Sequence, residues 1–125
     1  LLDVAAATDA RALIVTTAGL GALNHCELTV DALRARGIRP TGLVIGSWPA
    51  DPDLATRHNR TDLPRLSGVP LVGVVPAGAG RLDPETFRAA ATGWFDAAWL
   101  AEHTTASTAH QVPTAHQAPT AHQAH

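Results

Sequence analysis

Residues 16–29, TTAGLGALNHCELT, bring together the groups in this chain that could do chemistry. A glycine turn, Gly19-Leu20-Gly21, runs into Asn24, His25 and Cys26 in succession. His25 would serve as a general base only with a partner within hydrogen-bond reach, and the sequence shows none. Asn24 suits a helix N-cap, because its side chain can accept from a free backbone N–H. His25 would then simply face solvent. Cys26, Val30 and Leu33 fall at i, i+4 and i+7 on one apolar stripe, so Cys26 reads as a buried thiol rather than a nucleophile. Glu27, Asp31 and Arg34 repeat that spacing on a polar face and read as solvated charge.

Two more loops share the setting of the first. Gly46-Ser47-Trp48 and residues 76–80, PAGAG, each end an apolar run. In a parallel α/β sheet such loops fall on one edge, where ligands bind. Taken alone, glycines after strands are ordinary turn residues. Neither GxGxxG nor GxxxxGK[ST] occurs, and Gly78-Ala79-Gly80 is too short for a phosphate cradle. All nine basic residues are Arg, so no lysine is present for such a cradle. The histidines at 110, 116, 122 and 125 lack the tight Cys/His spacing of structural zinc sites, and no metal site is assigned.

These groups need elements to hold them. Residues 1–7 read as a helix end, and ALIVTT at 12–17 as a strand buried on both faces. Residues 24–36 read as a helix with Gly37 beyond its end. TGLVIGSW at 41–48 is a second strand, and residues 49–59 a polar loop. Residues 61–67 read as a short helix, with Pro64 tolerated in its first turn. VPLVGVV at 69–75 is a third strand. A last helix starts at Asp83 (N-cap) with Pro84 next and runs to about His103. Trp94 and Trp99 read as core or dimer-contact residues. From Thr104 the unit PTAHQA repeats, and this tail, 104–125, is expected to be disordered. The alternation predicts a parallel sheet with helices on both faces. Three strands are few for such a sheet. With no Met anywhere, the 125 residues read as part of a longer protein.

Composition narrows the partners. The net charge of −2 gives neither a nucleic-acid footprint nor a polybasic membrane patch. No apolar run reaches the roughly 20 residues of a membrane span, and no signal peptide is visible. A single cysteine points to a reducing compartment, hence the cytoplasm.

The wording G-L-G-x-L-N-H-x-x-L-T resembles the dethiobiotin synthetase family, of the kind found in high-GC actinobacteria. Three blocks carry the resemblance: TAGLGALNHCELTVDALRARG, GLVIGSWP and GVPLVGVVPAGAG. It covers residues 1–103, which would be the carboxyl-terminal half of a P-loop NTPase-like α/β domain, incomplete on its amino-terminal side. The family implies ring closure of dethiobiotin from 7,8-diaminononanoate, CO2 (bicarbonate in solution), ATP and Mg2+ in a homodimer. Position by position, Leu20, Gly21, Leu23 and Asn24 would reach the substrate carboxylate across the dimer. Gly46 and Ser47, with Pro76, Ala77 and Gly78, would flank the nucleotide base. Many members have Asn where this chain has Gly46, which implies relaxed choice of nucleotide. The P-loop, the substrate-side lysine and the Mg2+ ligands belong to the other half, so no catalytic residue is assigned here and the segment alone is expected to be inactive. The alternative is a non-catalytic α/β interaction module, and a start codon near Leu1 would favour it.

Overall fold

The computed structural model describes residues 2–105. Of the tail expected to be disordered, 104–125, residues 106–125 lie outside them, while Thr104 and Thr105 are helical, contrary to that expectation. Five helices and three strands follow one another: α1 (Leu2–Ala7), β1 (Ala12–Thr16), α2 (Ala22–Arg34), β2 (Pro40–Trp48), α3 (Leu54–Ser67), β3 (Leu71–Pro76), α4 (Pro84–Ala91) and α5 (Ala97–Thr105). Short 3-10 turns precede α4 (Ala79–Arg81) and follow it (Thr92–Trp94).

The strands form one open parallel sheet in the order β1-β2-β3. Parallel neighbours need crossovers, and α2 and α3 supply them. Cys26, Val30 and Leu33 of α2 and Leu63 of α3 pack with Ile14, Leu43 and Ile45 into one core. The apolar stripe read from α2 is therefore buried, with Ala22 added to it.

The other face is thinner. Phe95 lies where a Cβ on Gly73 would be, and the Asp96 amide donates to the Val72 carbonyl across 2.8 Å. The Trp99 indole N–H donates to the Thr41 carbonyl across 3.0 Å. β2 is buried on both sides from Gly42 to Ile45. β1 is not, contrary to the expectation from its apolar run: Val15 stays 67% exposed and Leu13 41%.

Three helix boundaries differ from the sequence reading. α2 starts at Ala22, because Gly21 takes a left-handed conformation (φ 84°) and makes the N-cap without a side-chain bond. Asn24 is thus inside the first turn, not the cap. α3 begins at Leu54 and absorbs most of the expected loop: Asp53 caps it by accepting from the Thr56 amide at 2.7 Å. Pro64 consequently sits in the helix body rather than its first turn. The last helix is two. The chain extends at Phe95 (φ −119°, ψ 154°), and Asp96 restarts it by accepting from the Trp99 amide at 2.7 Å. The Asp83 cap and Pro84 lead fall as expected.

Among the described residues, no helix is long and apolar enough to cross a membrane.

Candidate functional site

Because the three strands are parallel, the three glycine-bearing loops emerge from the same edge of the sheet. The first leaves β1 through Ala18, which is buried, and turns at Gly19 and Gly21. Leu20 is the tip of that turn and is fully exposed. Leu23 packs back against the core. Asn24 and His25 face solvent. Among the described residues the His25 ring has no hydrogen-bond partner, so no acid–base pair is assembled around it. The turn closes on itself, with the Ala22 amide donating to the Gly19 carbonyl (3.2 Å) and the His25 amide to the Gly21 carbonyl (3.0 Å). Leu23 and Asn24 occupy the first turn of α2, where backbone N–H groups have no helical acceptor and can receive an anion.

The second loop carries Gly46 and Ser47, both exposed. A groove joins them to the first loop; Val15, Thr16, Thr17, His25, Cys26 and Thr29 line it. A Cβ on Gly46 would come within 2.8 Å of Val15 Cγ1, so glycine is what keeps this wall clear.

The third loop follows Pro76. Ala77 is bonded directly to the second loop, its amide donating to the Trp48 carbonyl at 2.7 Å. Gly78 adopts φ 85°, and the Arg81 guanidinium lies over the position a Cβ there would take. The structure therefore joins Gly46 and Ser47 to the first loop through the groove, and Ala77 to Trp48 through a hydrogen bond. It does not bring Leu20 against either of the other loops.

Two residues at this edge escaped the sequence reading. Asn59 of α3 donates to the carbonyls of Ala18 (2.9 Å) and Gly19 (3.1 Å). Arg60 places its guanidinium carbon 5.1 Å from the centre of the Trp48 ring, within cation–π range. Both fell at or beside a stretch taken for a loop. The Asp53 cap, followed by helical spacing of Thr56, Leu63 and Ser67, is the signal that could have placed them.

Cys26 is 1% exposed, and burial pushes its thiol up, a hydrogen bond with Ser67 opposing part of the shift. It is a core residue. Among the described residues no three His, Cys, Asp or Glu side chains are grouped to hold a metal ion.

Comparison with known proteins agrees with this architecture. A family model described as an AAA domain matches residues 1–85. The chain belongs to that family. It is also 57% identical over 106 residues to the ATP-dependent dethiobiotin synthetase of Streptomyces coelicolor, covering 82% of this chain and 44% of the relative. The Rhodococcus jostii protein of the same name is 55% identical over 105 residues, 84% of this chain and 46% of that protein. The enzyme named likewise from Mycolicibacterium smegmatis is 49% identical over 100 residues, 80% of this chain and 44% of the relative. The resemblance carried by the G-L-G-x-L-N-H wording is thus shown, and its sources are actinobacterial. The chain spans a little under half the length of these curated relatives.

Proposed function

We propose that these residues are one part of an ATP-dependent dethiobiotin synthetase and furnish the substrate turn and the base-side loops of its site. The observation that carries this is the placement of the three matching loops on one edge of a parallel sheet, in a chain so similar to enzymes of that name. In this reading Leu20, Gly21, Leu23 and Asn24 take the substrate carboxylate from the opposite subunit of a homodimer. The exposed tip at Leu20 and the free amides at the start of α2 suit that task. Gly46, Ser47, Pro76, Ala77 and Gly78 flank the nucleotide base.

The reaction proposed is closure of a ureido ring. One amine of 7,8-diaminononanoate adds to CO2 and loses a proton, giving a carbamate. A carbamate oxygen attacks the γ-phosphorus of ATP, and ADP leaves. The second amine then attacks the carbonyl carbon and loses a proton, and phosphate departs with the carbamate oxygen that it took, leaving the ureido carbonyl in the ring. The chain's own share is orientation of the diamine and of the base, which is how proteins contribute most to phosphoryl transfer. The phosphate-binding lysine is not among these 125 residues, which contain none. Among the described residues no three His, Cys, Asp or Glu side chains are grouped to hold Mg2+.

Two consequences are tested together. The 125-residue chain alone should release no phosphate from ATP when given the diamine and bicarbonate. The complete polypeptide encoded by the gene that carries these residues should form dethiobiotin, in the cytoplasm. Diamine-dependent phosphate release by the short chain would refute the first, and absence of dethiobiotin from the complete polypeptide the second. Gly46 presents only backbone to a base where an Asn amide could pair with the adenine edge. Comparable rates with CTP and ATP are therefore expected, and strong preference for ATP would contradict that reading.

A further inference from the structure

α3 delivers two adjacent side chains to the loop edge: Asn59 reaches the first loop and Arg60 the second. Asn59 Nδ2 donates to the Ala18 and Gly19 carbonyls, 41 and 40 residues earlier in the chain. Both partners are acceptors, so only the amide nitrogen can face them, and the side chain's orientation follows from chemistry. Arg60 covers the Trp48 ring, and the Trp48 carbonyl holds the Ala77 amide. The two loops on the nucleotide side therefore have a tie of their own. The first turn does not: among the described residues, the hydrogen bonds that reach it from another part of the chain are the two from Asn59. Its root, Ala18, is packed in the core, while its tip, Leu20, is free. Its far end, Ala22, is packed there too, so the stretch free to swing is the one between them, at Gly19 to Gly21, whose glycines carry no side chains to restrain it.

We infer that Asn59 is a positioning residue for the substrate turn. Core packing of Ala22 holds α2; Asn59 fixes Gly19, whose carbonyl takes the Ala22 amide, and so sets the path of the turn that leads to the first-turn donors of Leu23 and Asn24. The inference rests on the proposed reading of that turn as the carboxylate-binding element. Asn59 is a half-buried polar side chain in a helix whose other inward residues include Thr56, Leu63 and Ser67. Two directed hydrogen bonds to a distant turn, and not apolar packing, are what its amide contributes there.

The test uses the complete polypeptide encoded by the gene, carrying Asn59→Asp, Asn59→Gln or Arg60→Ala. Asn59→Asp keeps the shape but removes both donors and sets a carboxylate against two carbonyls. KM for the diamine should rise roughly tenfold, as expected for two lost neutral hydrogen bonds and a displaced binding group, with KM for the nucleotide unchanged. Asn59→Gln, which retains the donor, should recover part of the loss. Arg60→Ala should do the reverse, raising KM for the nucleotide and sparing the diamine. Equal movement of both KM values in Asn59→Asp would reveal a merely structural role and overturn the inference; so would no movement. Hydrogen exchange in the same protein separates this from the functional reading. Faster exchange of the Ala22 and His25 amides in Asn59→Asp, with Ala77 unaffected, is expected whatever the reaction proves to be. Unchanged exchange would overturn the anchor itself.

Discussion

The Ala77 amide and the Trp48 carbonyl, 2.7 Å apart, extend the pairing of β2 and β3 one step past the end of the ladder. This bond fixes where the third loop leaves the sheet, and Gly78 then turns it in a left-handed conformation. Substituting Gly78→Ala should lower stability by about 1–2 kcal/mol, the usual cost of that conformation for an L-residue. The new Cβ would also meet the Arg81 guanidinium at 2.9 Å, but this is the far end of a flexible side chain and can move. The double variant Gly78→Ala/Arg81→Ala should therefore melt no higher than Gly78→Ala. Rescue of the melting temperature by the second change would show that crowding, not backbone conformation, is the cause.

A second glycine is fixed by space rather than by its dihedral angles. A Cβ on Gly73 would lie 2.7 Å from the Phe95 ring, which closes the edge of β3 through an isolated antiparallel bridge. Gly73→Ala should push Phe95 outward, loosen the Asp96 amide from the Val72 carbonyl and cost about 1–3 kcal/mol, as overpacking does. Urea unfolding measures the loss, and faster exchange of the Asp96 amide locates it. A variant as stable as the parent, with Asp96 still protected, would contradict the close contact.

The core strands were legible because their signal is hydrophobic. ALIVT and TGLVI are short apolar runs, and each is a strand. The stripe of Cys26, Val30 and Leu33 was legible for the same reason. The first half of α3 was hidden because its inward stripe is largely polar. Thr56 is buried but lay in the stretch 49–59 read as a loop, while Leu63 and Ser67 fell in the part, 61–67, that was read as a helix. Losing that half meant losing Asn59 and Arg60, so the loops were found without the side chains that tie them. Asn24 was misplaced because a glycine in the left-handed region can begin a helix with no capping side chain. The break after Trp94 was missed because Phe87, Ala91, Trp94 and Ala98 keep helical spacing across it. The exposure of Val15 follows from which elements pack over β1, which a strand's own residues do not record.

Cys26 supplies a third prediction. The thiolate is the reactive form, and burial both raises the thiol's pKa and bars a reagent's approach. The folded protein should resist iodoacetamide at neutral pH and become fully modified on addition of denaturant. Intact mass measured against time follows the reaction. Rapid labelling under native conditions would mean that α2 opens readily from the sheet, contrary to the packing of Cys26 with Val30 and Leu33.

The start of α3, and with it the Asn59 anchor, should be sensitive to acid. The Thr56 hydroxyl and backbone N–H hold the Asp53 carboxyl below its ordinary value of 3.8. A carboxyl depressed in the folded state stabilises fully above its unfolded pKa, because the unfolded chain takes up the proton first. That contribution is lost as pH falls from about 3.8 through the lower folded value. Asp83 is held down in the same direction by the Thr86 hydroxyl and amide, so α4 shares the window. In an NMR titration the Thr56 amide should therefore shift with a midpoint below 3.8. Asp53→Asn keeps an oxygen that accepts from Thr56 but cannot titrate. In that variant the Thr56 shift should be flat while the Thr86 shift still moves, since Asp83 is untouched. A Thr56 midpoint at or above 3.8 in the unaltered chain would mean that the cap does not favour the charged form, and the acid sensitivity assigned to α3 would have to come from elsewhere.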